Sequence, residues 1–268
     1  MHPVEPTRPK SMMGAIFEHV TIITSLMLRE VITRYGRRGL GFFWLVGEPL
    51  LFTGAVIILW SFIKAPYQHG LRIAPFVMTG YMTLIMFRHL ISYALGAVSG
   101  NLGLLFHQKI KILHVYLARF LLELGGATLA FVIVYAVLMA FGQVGWPADL
   151  LLVYGGWLTL FVLGMGIALV VSALAMEFEV VERIVPVLMY IVLPFSGAFT
   201  MAAWLPPRYR EVYLAIPIPH PVEMIRAGVF GEFVETHYDP FYPLFWGGVL
   251  IVLGLVMISR AKEHIDAD

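Results

Sequence analysis

In this chain of 268 residues only 13% are charged against 60% hydrophobic, about half the charge of an ordinary soluble domain, which excludes a water-soluble globular enzyme. The net charge of +1 by itself says nothing about nucleic acid, and the basic residues do not gather into a patch with interleaved aromatics, so no nucleic-acid partner is expected. The absence of cysteine excludes disulfides, thiolate metal sites and thiol chemistry. Apolar runs long enough to cross a bilayer recur from end to end, so the sequence predicts an all-α membrane protein.

Residues 1–12 hold three prolines and read as a flexible cytosolic lead. They lack the apolar core and small-residue cleavage site of a removed signal peptide. Residues 13–38 form the next unit, an amphipathic interface helix. Ile16, Phe17, Val20, Ile23, Met27 and Val31 recur at helical spacing, opposite Glu18, Thr21, Ser25, Arg29, Glu30 and Thr33. Residues 39–268 form the transmembrane domain, with six spans predicted at about 42–63, 73–98, 117–141, 150–174, 184–203 and 241–259. With the N-terminus inside, twelve Lys and Arg fall in cytosolic segments and five in outer ones, with Arg88 left inside a span. This is the positive-inside pattern, and it puts both termini in the cytosol.

Two connections are more than turns. Residues 99–116 make a cytosolic loop with helical propensity. Residues 204–240 carry six prolines on the outer side, and their apolar pieces 212–219 and 222–233 are too short to span. Such pieces predict re-entrant half-helices between spans five and six.

Glu48 and Arg88 lie about ten residues, ~15 Å, inside spans one and two. A charge in lipid normally faces a partner or a wet cavity, so the two are candidates for a pair beside a conduit. Alternatively Arg88 snorkels and Glu48 caps a turn broken by Pro49. Arg119 and Glu123 are spaced for an i, i+4 ion pair. Glu177, Glu179, Glu182 and Arg183 fill a short cytosolic loop, too solvated to shift a pKa for acid–base work. His107 and His114 on the inner loop, and His220 and His237 outside, have no metal-ligand spacing. Gly155, Gly156, Gly164 and Gly166 read as close-packing positions. Tyr81, Phe87 and Tyr93 on span two are candidate conduit-lining aromatics. No phosphate-loop motif exists, so hydrolysis of nucleotide by this chain is not expected.

The run Leu28-Arg-Glu-Val-Ile-Thr-Arg-Tyr-Gly-Arg-Arg-Gly-Leu-Gly-Phe-Phe-Trp-Leu-Val-Gly-Glu-Pro-Leu resembles the approach to the first span of type-2 ABC exporter permeases. Arg29, Arg34, Tyr35, Leu40, Gly41, Trp44 and Pro49 occupy the family's positions. Ser196-Gly-Ala-Phe and Pro219-His-Pro-Val-Glu-Met-Ile-Arg-Ala-Gly-Val-Phe-Gly resemble its outer segment, departing at the Asn-Pro start, where Pro219 stands. Within the family the chain most resembles capsular polysaccharide export permeases of Gram-negative bacteria, relatives of the O-antigen permeases. The resemblance implies a homodimer in the inner membrane, bound to two copies of a separate ATPase that holds ATP and Mg. A lipid-linked polysaccharide would pass through a channel at the dimer interface, and a periplasmic export adaptor would continue the path. Arg29, Arg34, Phe106, His107, Lys109 and Lys111 would couple to the ATPase. Trp204, Pro219, Pro221 and Arg226 would shape the outer gate. O-antigen or teichoic acid export is the alternative within the family. A membrane-embedded envelope enzyme and an ATPase-independent channel are the alternatives outside it.

Overall fold

The computed structural model describes residues 12–35, 41–65, 67–101, 103 and 110–265. Helix α1 (Met12–Tyr35) precedes α2 (Gly41–Ile63), a two-stranded hairpin (β1, Tyr67–Gln68; β2, Leu71–Arg72) and α3 (Ile73–Ala94). Then come α4 (Ile112–Ala140), α5 (Leu150–Glu177), α6 (Val180–Val192), the short α7 (Pro207–Leu214) and α8 (Pro219–Phe230), and α9 (Phe241–Ile265). The hairpin turns through His69 and Gly70, both at positive φ (50° and 83°), the backbone that a two-residue hairpin loop requires.

Helix α3 is the hub. Of its 22 residues, 17 are buried, with α2, α4, α5 and α8 packed around it. Because protein surrounds it, α3 tolerates Thr79, Thr83, Arg88 and His89 where a lipid-facing helix would not. Among the described residues four helices, α2, α4, α5 and α9, are long and apolar enough to cross a membrane. At ~1.5 Å per residue α3 reaches about 33 Å, so it has the length without the uniform apolarity. Segment 184–203 differs most from expectation. Helix α6 covers 13 residues, continues as a 3₁₀ turn over Leu193–Phe195 and is irregular before Ala202. Its ~20 Å falls short of a hydrocarbon core of about 30 Å.

Other boundaries move for local reasons. Span two ends as a helix at Ala94, and 95–98 is a turn with Gly96 at positive φ. Span three starts early, at Ile112, where the His114 Nδ1 accepts from the Lys111 amide (3.1 Å) and caps the helix. Asp149 caps α5, its Oδ1 accepting from the Leu151 and Leu152 amides at 2.8 and 3.2 Å. In the outer segment the first short helix covers 207–214, ahead of the expected 212–219, because Pro207 starts it with a preset φ.

The glycines of α5 are contact points between backbones. A Cβ on Gly166 would lie 2.6 Å from the Gly247 carbonyl of α9, and one on Gly156 would lie 2.7 Å from the Pro221 carbonyl of α8. These are the small-residue seams of packed membrane helices.

Candidate functional site

Polar side chains gather at the two ends of α3. At the inner end, α1 docks against α3 and α4 through charge. Arg34 donates through Nε to Glu30 Oε1 (2.9 Å) and through Nη1 to Glu123, which is only 2% exposed. Arg119 pairs with the same Glu30 oxygen (2.9 Å) and donates through Nη1 to the Tyr93 carbonyl (2.7 Å). His89 lies between two carboxylates, 3.2 Å from Glu123 and 3.9 Å from Glu48. Arg29 donates to Asn101 Oδ1 (2.5 Å) and Tyr93 carries the Arg34 guanidinium on its ring face at 3.8 Å. Burial alone would lower the Arg34 pKa, but Glu123 and Glu30 outweigh it and hold it above its ordinary value. A short hydrogen bond between His19 and His114 (2.8 Å) pins the N-terminal half of α1 to the start of α4.

This network revises several expectations. Glu48 faces His89, whereas Arg88 lies over the Tyr190 ring of α6 at 5.3 Å. Residues 88 and 89 are ~100° apart around one helix, so the two neighbours serve different partners and no Glu48–Arg88 pair forms. Helix α2 continues through Pro49, so Glu48 caps no broken turn there. Arg119 and Glu123 do not pair with each other, because α1 supplies each with a better-placed partner. Glu30 and Arg34 of α1 turn inward to these charges and Ile22, Ile23, Leu26 and Met27 pack on the core, while Ile16, Phe17 and Val20 stay exposed.

Arg29 and Arg34 therefore hold α1 to the body. Of the loop residues named for coupling, Lys111 precedes α4, whereas Phe106, His107 and Lys109 lie outside the described residues, as do Arg37, Arg38 and Leu40. Among the candidate conduit aromatics, Phe87 is buried against α5, where a Cβ on Gly164 would touch it at 3.4 Å. Tyr81 is half-buried against the cluster of Leu71, Ile73, Phe76, Val77 and Met201, and Tyr93 sits within the inner network.

At the outer end, Arg226 of α8 is fully buried. Its guanidinium donates to the Thr200 and Ala198 carbonyls (2.9 and 3.1 Å) and to Thr79 Oγ1 (3.4 Å), and it sits over the Phe76 ring at 4.3 Å. Glu223, one turn earlier and equally buried, lies 3.9 Å from Arg226 and accepts from the Ala202 and His237 amides (3.1 and 3.3 Å). Arg210 donates to the Ala202 and Leu205 carbonyls and contacts His237 at 2.8 Å. Trp204 stacks on His69 of the hairpin at 4.4 Å and leans on Phe76 at 4.9 Å. Pro219 and Pro221 fill the first turn of α8, where a missing amide costs nothing. Of the residues named for an outer gate, Arg226 and Trp204 meet on Phe76, and Pro219 and Pro221 start the helix that carries Arg226. The residues that complete both ends, Glu30, His89, Asn101, Arg119, Glu123, Arg210 and Glu223, were not singled out for them. Spacing held two clues: the i, i+4 Glu30–Arg34 pair and Glu123 as a third charge within a predicted span.

Among the described residues no three His, Asp or Glu are placed to hold a metal ion, and the buried charges are spent on joining helices. Fold and site together define a multi-span helical membrane protein. The chain belongs to the ABC-2 type transporter family, whose pattern matches residues 21–230. Its relatives include the capsule polysaccharide export inner-membrane protein CtrC of Neisseria meningitidis serogroup B, 39% identical over 245 residues (91% of this chain, 92% of that protein). The capsule polysaccharide export inner-membrane protein BexB of Haemophilus influenzae is 36% identical over the same shares. The polysialic acid transport protein KpsM of Escherichia coli is 24% identical over 90% of this chain and 93% of its own.

Proposed function

We propose that this chain is the membrane-spanning subunit of an ATP-driven exporter that carries a lipid-linked capsular polysaccharide across the bacterial inner membrane. The observation that carries this reading is 39% identity to a capsule polysaccharide export inner-membrane protein over 91% of the chain. Two copies would form the channel between them, and two copies of a separate subunit would bind and hydrolyse ATP with Mg. A periplasmic export adaptor would receive the polymer. In this reading the chain crosses the membrane six times, with α3 and α6 completing the four long apolar helices, α7 and α8 re-entering from outside and both termini in the cytosol. The apolar faces that α2 and α6 leave uncovered, including Phe52, Leu59, Leu188 and Ile191, have the character that a second copy would bury. In this reading the 99–116 segment, whose Asn101 accepts from Arg29 of α1, would receive the ATPase.

Affinity purification of the tagged chain from native membranes, with mass spectrometry and an ATPase assay, tests the assembly. The expected result is a stoichiometric nucleotide-binding subunit whose hydrolysis falls when the 99–116 loop is altered. A deletion strain is expected to retain finished, lipid-terminated polymer in the cytosol. Recovery of the chain without an ATPase in several mild detergents, or normal surface polymer in the deletion strain, would refute the proposal.

A further inference from the structure

Between α1, the inner end of α3 and the start of α4 lies a cavity of about 340 Å³, room for roughly ten water-sized volumes. Arg29, Arg34 and Arg119 line it, together with Glu30 and the hydroxyl-bearing Thr33 and Ser92. Even when Glu123 below is counted, three guanidiniums meet two carboxylates. Among the described residues the Arg34 Nη2 is buried without a hydrogen-bond partner, a costly state for a charged donor. Arg29 is exposed as a residue and, among the described residues, its guanidinium is held by the neutral amide of Asn101. The cavity therefore combines a surplus of positive charge, an unused buried donor and planar forks that match phosphate oxygens. The exposed apolar residues of α1 (Ile16, Phe17, Val20) put this helix at the level of lipid headgroups.

We propose that this cavity is a binding site for a phosphate-bearing anionic group, filled in the membrane by the headgroup of an inner-leaflet phospholipid. Its phosphate meets the open donors of Arg29, with the Arg34 and Arg119 charges behind it, and Thr33 and Ser92 supply hydroxyl contacts. A bound headgroup ties α1 to α3 and α4 beyond what the protein's own ion pairs do. The site concerns the membrane and is independent of which polymer the transporter carries.

The test is native mass spectrometry of the delipidated full chain titrated with phosphatidylglycerol, phosphatidylcholine or inorganic phosphate. The expected result is one tightly retained phosphatidylglycerol per chain and weaker retention of phosphatidylcholine. Loss of one charge-assisted hydrogen bond in Arg29→Gln weakens phosphatidylglycerol by about tenfold. Arg208→Gln, an exposed change on α7, leaves it unchanged. Thr33→Val gives a second, milder loss that spares the ion pairs of α1. Displacement by inorganic phosphate supports the phosphate site with a soluble occupant, and failure to displace supports the lipid headgroup. Equal retention of the two lipids, or equal loss in Arg29→Gln and Arg208→Gln, overturns the proposal.

Discussion

Replacing Glu123 by Gln probes how α1 is held. Glu123 is 2% exposed and serves both Arg34 of α1 and His89 of α3. The substitution keeps its shape and removes its charge. Arg34, 13% exposed, is left to share Glu30 with Arg119, two guanidiniums on one carboxylate. Breaking one partner of a buried pair costs about 3–5 kcal/mol, and the low end of that range is a shift of roughly 100-fold in the docking equilibrium of α1. The chain has no cysteine, so a single thiol reports cleanly. Leu26 faces the core from α1 at 8% exposure and Met201 is fully buried in the outer segment. In native membranes a maleimide is expected to label Leu26→Cys about 100-fold faster in the Glu123→Gln background, while Met201→Cys stays protected. Unchanged labelling at position 26 would show that these ion pairs do not hold α1. Equal acceleration at both positions would show global unfolding instead of undocking.

Arg226→Gln leaves Glu223 buried without its cation and is expected to cost about 3–5 kcal/mol. In thermal unfolding of the solubilised protein, Glu223→Gln combined with it should recover part of the loss, and no recovery would argue against an energetic pair. Gly166→Val places side-chain atoms against the Gly247 carbonyl and Leu250 Cβ (2.6 and 2.9 Å from a Cβ). It should cost about 1–3 kcal/mol, whereas Gly248→Val, with nothing within 4 Å, should stay within about 0.5 kcal/mol; equal melts would contradict the α5–α9 seam. Asp149→Ala removes the cap of α5 at about 0.5–2 kcal/mol, and Asp149→Asn should keep most of it in the same melt. Gly80→Ala sets a Cβ 2.1 Å from the Ala198 carbonyl, so it should abolish polymer export while labelling of Leu26→Cys stays slow; normal export would refute a tight outer junction.

Periodicity and length made the helices legible, because a span must be apolar over its whole width and the sequence cannot hide it. The inner and outer ends were legible only in part. Trp204, Pro219, Pro221 and Arg226 were named through the family resemblance, and only the run of prolines stood out from the residues themselves. Glu48 and Arg88 stood out as charges inside predicted spans, yet their partners did not follow, since sequence spacing orders side chains around one helix and not between helices. Glu123 has the spacing to pair with Arg119, and the local rule yields to the charges that α1 brings to both. Helix α6 was read as a full span because residues 184–203 are apolar in total; Pro194 and the Ser196-Gly197 turn, with Gly197 at φ 82°, end the helix early. The amphipathic α1 was read as an interface helix. In the fold Glu30 and Arg34 reach the buried charges and Leu26 faces the core, while Thr21, Ser25 and Thr33 as well as Ile16, Phe17 and Val20 remain exposed, a partition that periodicity on one helix does not give.

The two polar ends belong to one rod. Thr79 and Gly80, which meet the Arg226 cage, and His89 and Tyr93, which meet α1 and α4, are separated by about ten residues of α3, ~15 Å of continuous helix. Burial on all sides keeps that helix from bending independently of its neighbours, because close-packed interiors transmit displacement and do not absorb it. If α1 lies at the cytosolic face, as the proposed topology has it, a movement of α1 would reach the 198–202 segment and α8 through α3. Gly80→Ala and Glu123→Gln act on opposite ends of this rod. In an exporter driven from the cytosol, loss of export from either end alone is the outcome that a rigid coupling element requires, and an export defect confined to the inner variant would assign the coupling to another helix.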